Sequence, residues 1–192
     1  MKFIHHRINT IDDLARIPKS HGVELDLRYH QNDLILSHDP FDHHTNEVDR
    51  FEDFLIHWDH QGTMILNVKT EGIEERCIEM MKLYEISDWF FLDLSNPALV
   101  KFSNIAALQE NDNLSYRNLA VRFSEEEPIE LALSFQGKVG WVWVDCFTEC
   151  PLNQEIYSRL KESGFKICLV SPELQHHEYS MIKEHKKIID KM

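Results

Sequence analysis

Apolar runs of strand length alternate with stretches of helical periodicity along the whole chain. Lys2 to His6 predicts a short strand, and Ile11 to Ile17 an amphipathic turn or helix. Gly22 to Pro40, GVELDLRYHQNDLILSHDP, opens as a strand with Val23, Leu25 and Leu27 on one face and Glu24, Asp26 and Arg28 on the other. A second short strand, Leu34 to Ser37, turns back and delivers His38, Asp39 and Pro40, and His43 to Asp49 reads as polar loop. Further strands are expected over Thr63 to Thr70, Trp89 to Leu94, Leu119 to Phe123, Gly140 to Cys146 and Phe165 to Ser171. Phe51, Phe54, Leu55 and Trp58 share one face of a helix over Phe51 to His60. A helix over Gly72 to Glu85 buries Ile73, Cys77, Met80, Met81 and Tyr84. The remaining helices fall at Pro97 to Glu110, Pro128 to Ser134, Asn153 to Ser163 and Glu178 to Lys191.

Seven βα units follow one another without a linker, which argues a parallel sheet with helices outside it. Asp26, Lys69, Asp93, Arg122 and Asp145 stand at or near the carboxyl ends of strands. In a parallel barrel those ends converge on one mouth. A doubly wound sheet calls for a glycine-rich loop after its first strand, and the chain has none there. The expected fold is therefore a single α/β domain over residues 1–192, a TIM-type (β/α) barrel. A full barrel has eight strands, so this one is incomplete with seven units, closed by a partner chain in a homo-oligomer, or closed by the hairpin strand.

Composition narrows the partners. A net charge of −13 gives no bulk attraction to nucleic acid or an anionic membrane, so a phosphate-bearing ligand needs a local basic pocket. The amino terminus, MKFIHHRINT, lacks the apolar core of a signal peptide, and no apolar run reaches the length of a membrane span. Four cysteines form no CxxC pair; Cys146 and Cys150 lie four apart with no second pair, which argues against zinc. The thiols read as those of a reduced, cytoplasmic protein.

Glu24 and Asp26 point the same way from one strand, and two like charges at that distance need a cation or paired donors. A divalent ion that prefers oxygen ligands, Mg²⁺ or Ca²⁺, is one solution. An acidic face that is simply half solvated is the other. His6 and Arg7 end the first strand, His38 follows the hairpin, and Lys69 ends the third parallel strand on the face of Ile65 and Asn67. His5 alternates away from His6 and takes no role. His38 could instead cap a turn, Lys69 could reach solvent, and Arg122 could pair with Asp145 rather than bind a ligand. Asp93 and Asp145 are mouth residues or helix caps, and Trp141 and Trp143 line a pocket or fill the core. The run Glu125 to Glu127 suits the start of the helix at Pro128, and the doublets His43-His44 and His176-His177 read as solvated loop.

Taken in order, these segments resemble the glycerophosphodiester phosphodiesterase family of the phospholipase C-like phosphodiesterase superfamily. The match lies in IHHRINT, GVELDLRYHQNDLILSHDP and ILNVK, between residues 3 and 70; beyond them only the βα rhythm agrees. The resemblance implies a hydrolase for a small soluble glycerol- or sugar-linked phosphodiester, with Glu24, Asp26 and Asn67 around one divalent metal ion. It makes His6 and His38 the acid and base, with Lys69 beside them, and gives Arg7, Lys69 and Arg122 the phosphoryl oxygens. It also implies that a hydroxyl next to the phosphate can attack first, giving a cyclic phosphate. Two positions depart from the family pattern: Asn67 stands where an acidic ligand is usual, and Ile8 where a glycine follows HR. A barrel that only binds a phosphorylated metabolite, and a phosphomonoesterase for a glycerol or sugar phosphate, are the alternatives.

Overall fold

Every apolar run expected to be a strand is one in the computed structural model, which describes residues 2–40, 48–108 and 114–190. The parallel strands are β1 (Ile4–His5), β2 (Gly22–His30), β4 (Met64–Val68), β5 (Trp89–Leu92), β6 (Ala120–Phe123), β7 (Trp141–Val144) and β8 (Lys166–Leu169). β3 (Asp33–Leu36) folds back on β2 as an antiparallel hairpin through Gln31 and Asn32, whose φ angles of 46° and 70° suit a tight two-residue turn. The helices are α1 (Ile11–Leu14), α2 (Phe51–Ile56), α3 (Glu74–Leu83), α4 (Asn96–Leu108), α5 (Ile129–Ser134), α6 (Gln154–Glu162) and α7 (Ser180–Ile189). Helix ends expected at Glu110 and Lys191, and the His43-His44 doublet, lie outside the described residues. No helix among the described residues is long and apolar enough to cross a membrane.

Two hydrophobic cores follow from the two faces of the strands. Outward residues such as Val23, Leu25, Leu27, Leu66 and Phe91 are fully buried beneath the helices. Inward residues Ile65, Phe90, Leu92, Ala120, Trp141, Trp143 and Val170 form a second cluster, with Phe90 stacked on Trp141 at 4.6 Å. This aromatic plug fills the interior below the carboxyl ends of the strands, as the packed side-chain layers of a TIM-type barrel do.

The strand order is β1-β2-β4-β5, then β6-β7-β8, with a parallel bridge at Phe91 and Leu119 carrying the wall from β5 towards β6. Among the described residues no ladder joins β8 to β1, yet Ile4 of β1 and Cys168 of β8 pack on the same inner cluster. The architecture is thus a seven-stranded, TIM-type α/β wall with an unpaired seam. The hairpin bears on that seam. Ile8 and Ser37 donate to the carbonyls of Glu24 and Asp26, so β1 and β3 share one edge of β2, with β3 nearer the carboxyl end. β3 extends the wall above β1 and does not pair with β8 among the described residues.

Candidate active site

The parallel register of β2 and β4 sets Glu24 beside Ile65 and Asp26 beside Asn67, all facing inwards. Both carboxylates are almost wholly buried, at 1% and 0% exposure. Each is held by neutral donors. Arg7 takes the left-handed conformation (φ 55°), which turns its backbone N–H onto Glu24 Oε2 at 2.7 Å, while Asn67 Nδ2 donates to Glu24 Oε1 at 2.8 Å. A non-glycine residue in that region carries strain, and Arg7 keeps it at the mouth. Asn9 clamps Asp26 from both sides: Nδ2 donates to Oδ2 and Oδ1 accepts from the Asp26 backbone, each at 2.8 Å. Lys69 Nζ lies 3.5 Å from Asp26 Oδ1 and 3.4 Å from Asp93 Oδ2. Asp26 Oδ1 and Asn67 Oδ1 are buried and accept no hydrogen bond among the described residues.

His38 reaches the same site from the hairpin. Arg28, on β2, donates to the His38 carbonyl at 2.8 Å and to that of Lys69 at 3.4 Å, pinning the end of the hairpin over β4. Asp39 Oδ1 sits 2.9 Å from His38 Nδ1, and Arg7 Nη2 sits 2.8 Å from Nε2. A carboxylate on one side and a guanidinium on the other fit the tautomer with the proton on Nδ1 and the lone pair on Nε2. The bond to His38 holds the Asp39 carboxyl below its ordinary range.

His6 Nε2 stands 3.5 Å from Glu24 Oε2. Burial, with the nearby cation of Arg7, lowers the His6 pKa, so the neutral imidazole is favoured. Burial first, and the Asp26 charge second, push Glu24 up to about 7. One buried carboxyl therefore titrates near neutrality at the centre of the site.

The opposite wall comes from β5 to β8. A cavity of about 230 Å³ is bordered by His6, Arg7, His38, Asn67 and Lys69 on one side and by Asp93, Arg122, Trp143 and Asp145 on the other. Arg122 does pair with Asp145, at 3.6 Å, and also with Asp93 and Glu127, both at 3.3 Å. Burial lowers its pKa, but Asp93, Glu127 and Asp145 together outweigh that and hold it raised. Asp93 and Asp145 are mouth residues; Trp143 lines the cavity while Trp141 belongs to the inner plug.

Several residues here escaped the sequence pattern. Asn9 stands inside IHHRINT but takes no role from it, and Phe147 and the 3-10 turn Pro172–Gln175 carry no motif; yet Gln175 donates to Asp145 Oδ1 at 2.6 Å, and Phe147, Leu174, Gln175 and His176 border the cavity. The expectation of a solvated His176-His177 doublet holds for His176 and is corrected for His177. His176 is exposed but at the cavity rim, and His177 Nε2 lies 3.1 Å from the Cys146 carbonyl. The acidic run does stand directly before α5, as expected, but makes no capping hydrogen bond there: Glu127 serves Arg122, and Glu125 accepts from Thr148 and Glu149.

The donor set fits a divalent ion. Asp26 Oδ1 and Asn67 Oδ1 are orphaned oxygens on adjacent strands, with Glu24 beside them, and hard cations take such oxygens. Asn67 supplies a neutral ligand in place of a third charge.

No family model matches the chain, and no curated protein matches its sequence. Solved structures match it, among them the following two. A glycerophosphodiester phosphodiesterase from Agrobacterium tumefaciens str. C58 aligns over 88% of this chain and 86% of its own, with a TM-score of 0.65 at 15% identity. A Galdieria sulphuraria protein assigned to the same activity aligns over 88% and 92%, with a TM-score of 0.48 at 11% identity. The chain thus shares the α/β fold of the Agrobacterium enzyme, over nearly its whole length.

Proposed function

We propose that this protein is a metal-assisted phosphodiesterase for a small, soluble glycerol- or sugar-linked phosphodiester. The observation that carries the reading is the meeting of His6, Arg7, His38 and Lys69 around two buried carboxylates at one barrel mouth. Glu24, Asp26 and Asn67 would hold one divalent ion, Mg²⁺ or Ca²⁺, which when bound polarises the phosphoryl oxygens and neutralises developing charge.

His38 is the base. Asp39 fixes the proton on Nδ1, and when Arg7 turns its guanidinium onto the phosphoryl oxygens the Nε2 lone pair is free to take a proton from the attacking water or neighbouring hydroxyl. His6, beside Glu24, is the acid in the fraction protonated from solvent: that imidazolium, made a stronger acid by its lowered pKa, hands its proton to the leaving alkoxide as the P–O bond to it breaks. Arg7 and Lys69 grip the phosphoryl oxygens, and Arg122 adds a third cation from the far wall. The cavity suits a polar head group rather than a long acyl chain, and the net charge of −13 disfavours nucleic acid. Four free thiols fit a reduced cytoplasmic setting.

A second reading, a barrel that binds a phosphometabolite without turnover, is favoured by Asn67 and Lys69, which already serve the two carboxylates without an ion. ³¹P NMR of a panel of glycerophosphodiesters and sugar phosphates, with Mg²⁺ or Ca²⁺ and then with excess chelator, separates the two. Chelator-sensitive loss of a diester signal, abolished in His38→Ala, is the expected result. Turnover of monoesters alone would make the enzyme a phosphatase, and broadening of one signal without turnover would make it a binder.

A further inference from the structure

Outside the catalytic mouth, two thiols and an imidazole far apart in sequence come together. Cys146 directly follows Asp145 at the end of β7, Cys150 lies four residues on in the loop before α6, and His185 comes from α7. Their ligand atoms all lie within 4.8 Å of one another. Cys146 is fully buried, Cys150 half-buried, and His185 only 5% exposed.

The position of His185 is unusual for a plain packing residue. Ile182, His185 and Ile189 fall on one face of α7, and His185 is the most deeply buried side chain of that helix among the described residues. A helix docked only by the hydrophobic effect would put a leucine or isoleucine at that point. Here an imidazole faces two sulfurs instead.

We propose that Cys146, Cys150 and His185 form a structural Zn²⁺ site that fastens α7 to the loop after β7. Two thiolates and one neutral imidazole are the soft and borderline donors that zinc prefers over the oxygen-loving ions of the mouth. Binding releases the two thiol protons, and the two sulfur charges balance the ion. Around tetrahedral zinc such donors stand roughly 3.6–3.8 Å apart, so the cluster closes by about 1 Å at most through side-chain rotation. The fourth position goes to water, with Glu125 a neighbour outside the three-residue cluster. Glu125 Oε1 is held by the Thr148 hydroxyl at 2.8 Å and the Glu149 N–H at 3.1 Å, while Oε2 is buried and accepts no hydrogen bond among the described residues. Its carboxylate is near enough for its charge to be felt by both thiols.

The site would brace the mouth from behind. The Cys146 N–H donates to Asp145 Oδ1 at 3.2 Å, and the Cys146 carbonyl meets His177 just after the turn that carries Gln175. The same Asp145 oxygen accepts from Gln175, so the loop that holds the ion also sets the outer wall of the cavity.

Cobalt substitution of the full-length, reduced protein tests this, because Co²⁺ shows a thiolate charge-transfer band only on sulfur ligands. Oxygen ligands at Glu24 and Asp26 would be silent in that band. The expected result is a near-ultraviolet band that saturates at one equivalent, disappears on adding Zn²⁺, and is lost in Cys150→Ser. His185→Ala should keep sulfur charge transfer but lose the tetrahedral visible spectrum. On wild-type protein alone, Zn²⁺ should protect Cys146 and Cys150 from alkylation, as read by peptide mass spectrometry, so a variant that fails to fold leaves the test intact. No band, a band unchanged in Cys150→Ser, unprotected thiols, or a Cys146–Cys150 disulfide in protein purified without reductant would each overturn the site.

Discussion

Glu24 is the residue on which charge balance at the mouth turns. Its carboxyl is 1% exposed and titrates at about 7 in the folded protein, against about 4.5 when unfolded. Between those values the folded state holds a proton that the unfolded state has lost, so in chelator stability falls as pH rises from about 4.5 to about 7 and is flat above it. The ionisation cost is about 3 kcal/mol by linkage. Glu24→Gln removes that cost, with Asn67 turning its amide so that Oδ1 accepts from the new side-chain N–H. Urea titrations in chelator should find the variant up to about 3 kcal/mol more stable than wild type at pH 8 and nearly equal at pH 4.5. Millimolar Mg²⁺ or Ca²⁺ should flatten the wild-type slope and leave that of the variant unchanged; equal slopes would remove Glu24 from the ion's shell. Asn67 makes the complementary case. Asn67→Glu exchanges a neutral ligand and a donor to Glu24 for a third charge. Calorimetry should record tighter divalent binding, by roughly tenfold or more, together with lower stability in chelator. Unchanged affinity would place Asn67 outside the shell.

At the scale of elements, what aims these groups is the spacing of β2 from β4. Gly22 and Gly62 allow that approach. A Cβ on Gly22 would lie 2.3 Å from the Thr63 carbonyl oxygen, and one on Gly62 would lie 2.2 Å from the Gly22 nitrogen. Both contacts are with backbone, which has no rotamer by which to yield. Gly22→Ala should therefore cost about 1–3 kcal/mol and lower divalent affinity as Glu24 and Asp26 shift on their strand. A stable variant with unaltered affinity would mean that the strand absorbs the change below Glu24. The central strands β2, β4, β5 and β7 were legible because each is an apolar run buried on both its inward and outward faces over most of its length, and the mouth was legible because polar residues interrupt those runs at the carboxyl end. The alternation of Glu24, Asp26 and Arg28 was read as one face, and Arg28 in fact leaves the ion site to hold the His38 loop. The clamp of Asn9 on Asp26 (its segment IHHRINT is legible, its role is not), the Gln175 turn and the meeting of His185 with Cys146 and Cys150 left no such trace, because each depends on which distant segments pack together. Spacing along the chain argues against zinc because it cannot show that α7 brings His185 beside the two thiols, the grouping on which the proposed zinc site rests.

For the molecule as a whole, two fields of different range act on an incoming phosphodiester. The chain carries a formal net charge of −13, which repels an anion at long distance. The mouth gathers Arg7, Lys69 and Arg122, but Asp26, Asp93 and Asp145 pair with the last two, so its own field is short. Salt screens exposed charges beyond roughly 10 Å at 0.1 M ionic strength, and it acts much less on contacts inside a partly buried cavity. Raising ionic strength should thus weaken the repulsion more than the grip. With a diester that turns over, kcat/KM should rise by a few-fold between low salt and about 0.2 M, through KM and with kcat unchanged. A fall over the same range would mean that the uncompensated charge of Arg7 reaches beyond the mouth and steers the substrate in. In that case Arg7→Gln should abolish the salt dependence, whereas under the expected behaviour it would lower affinity at every salt concentration alike.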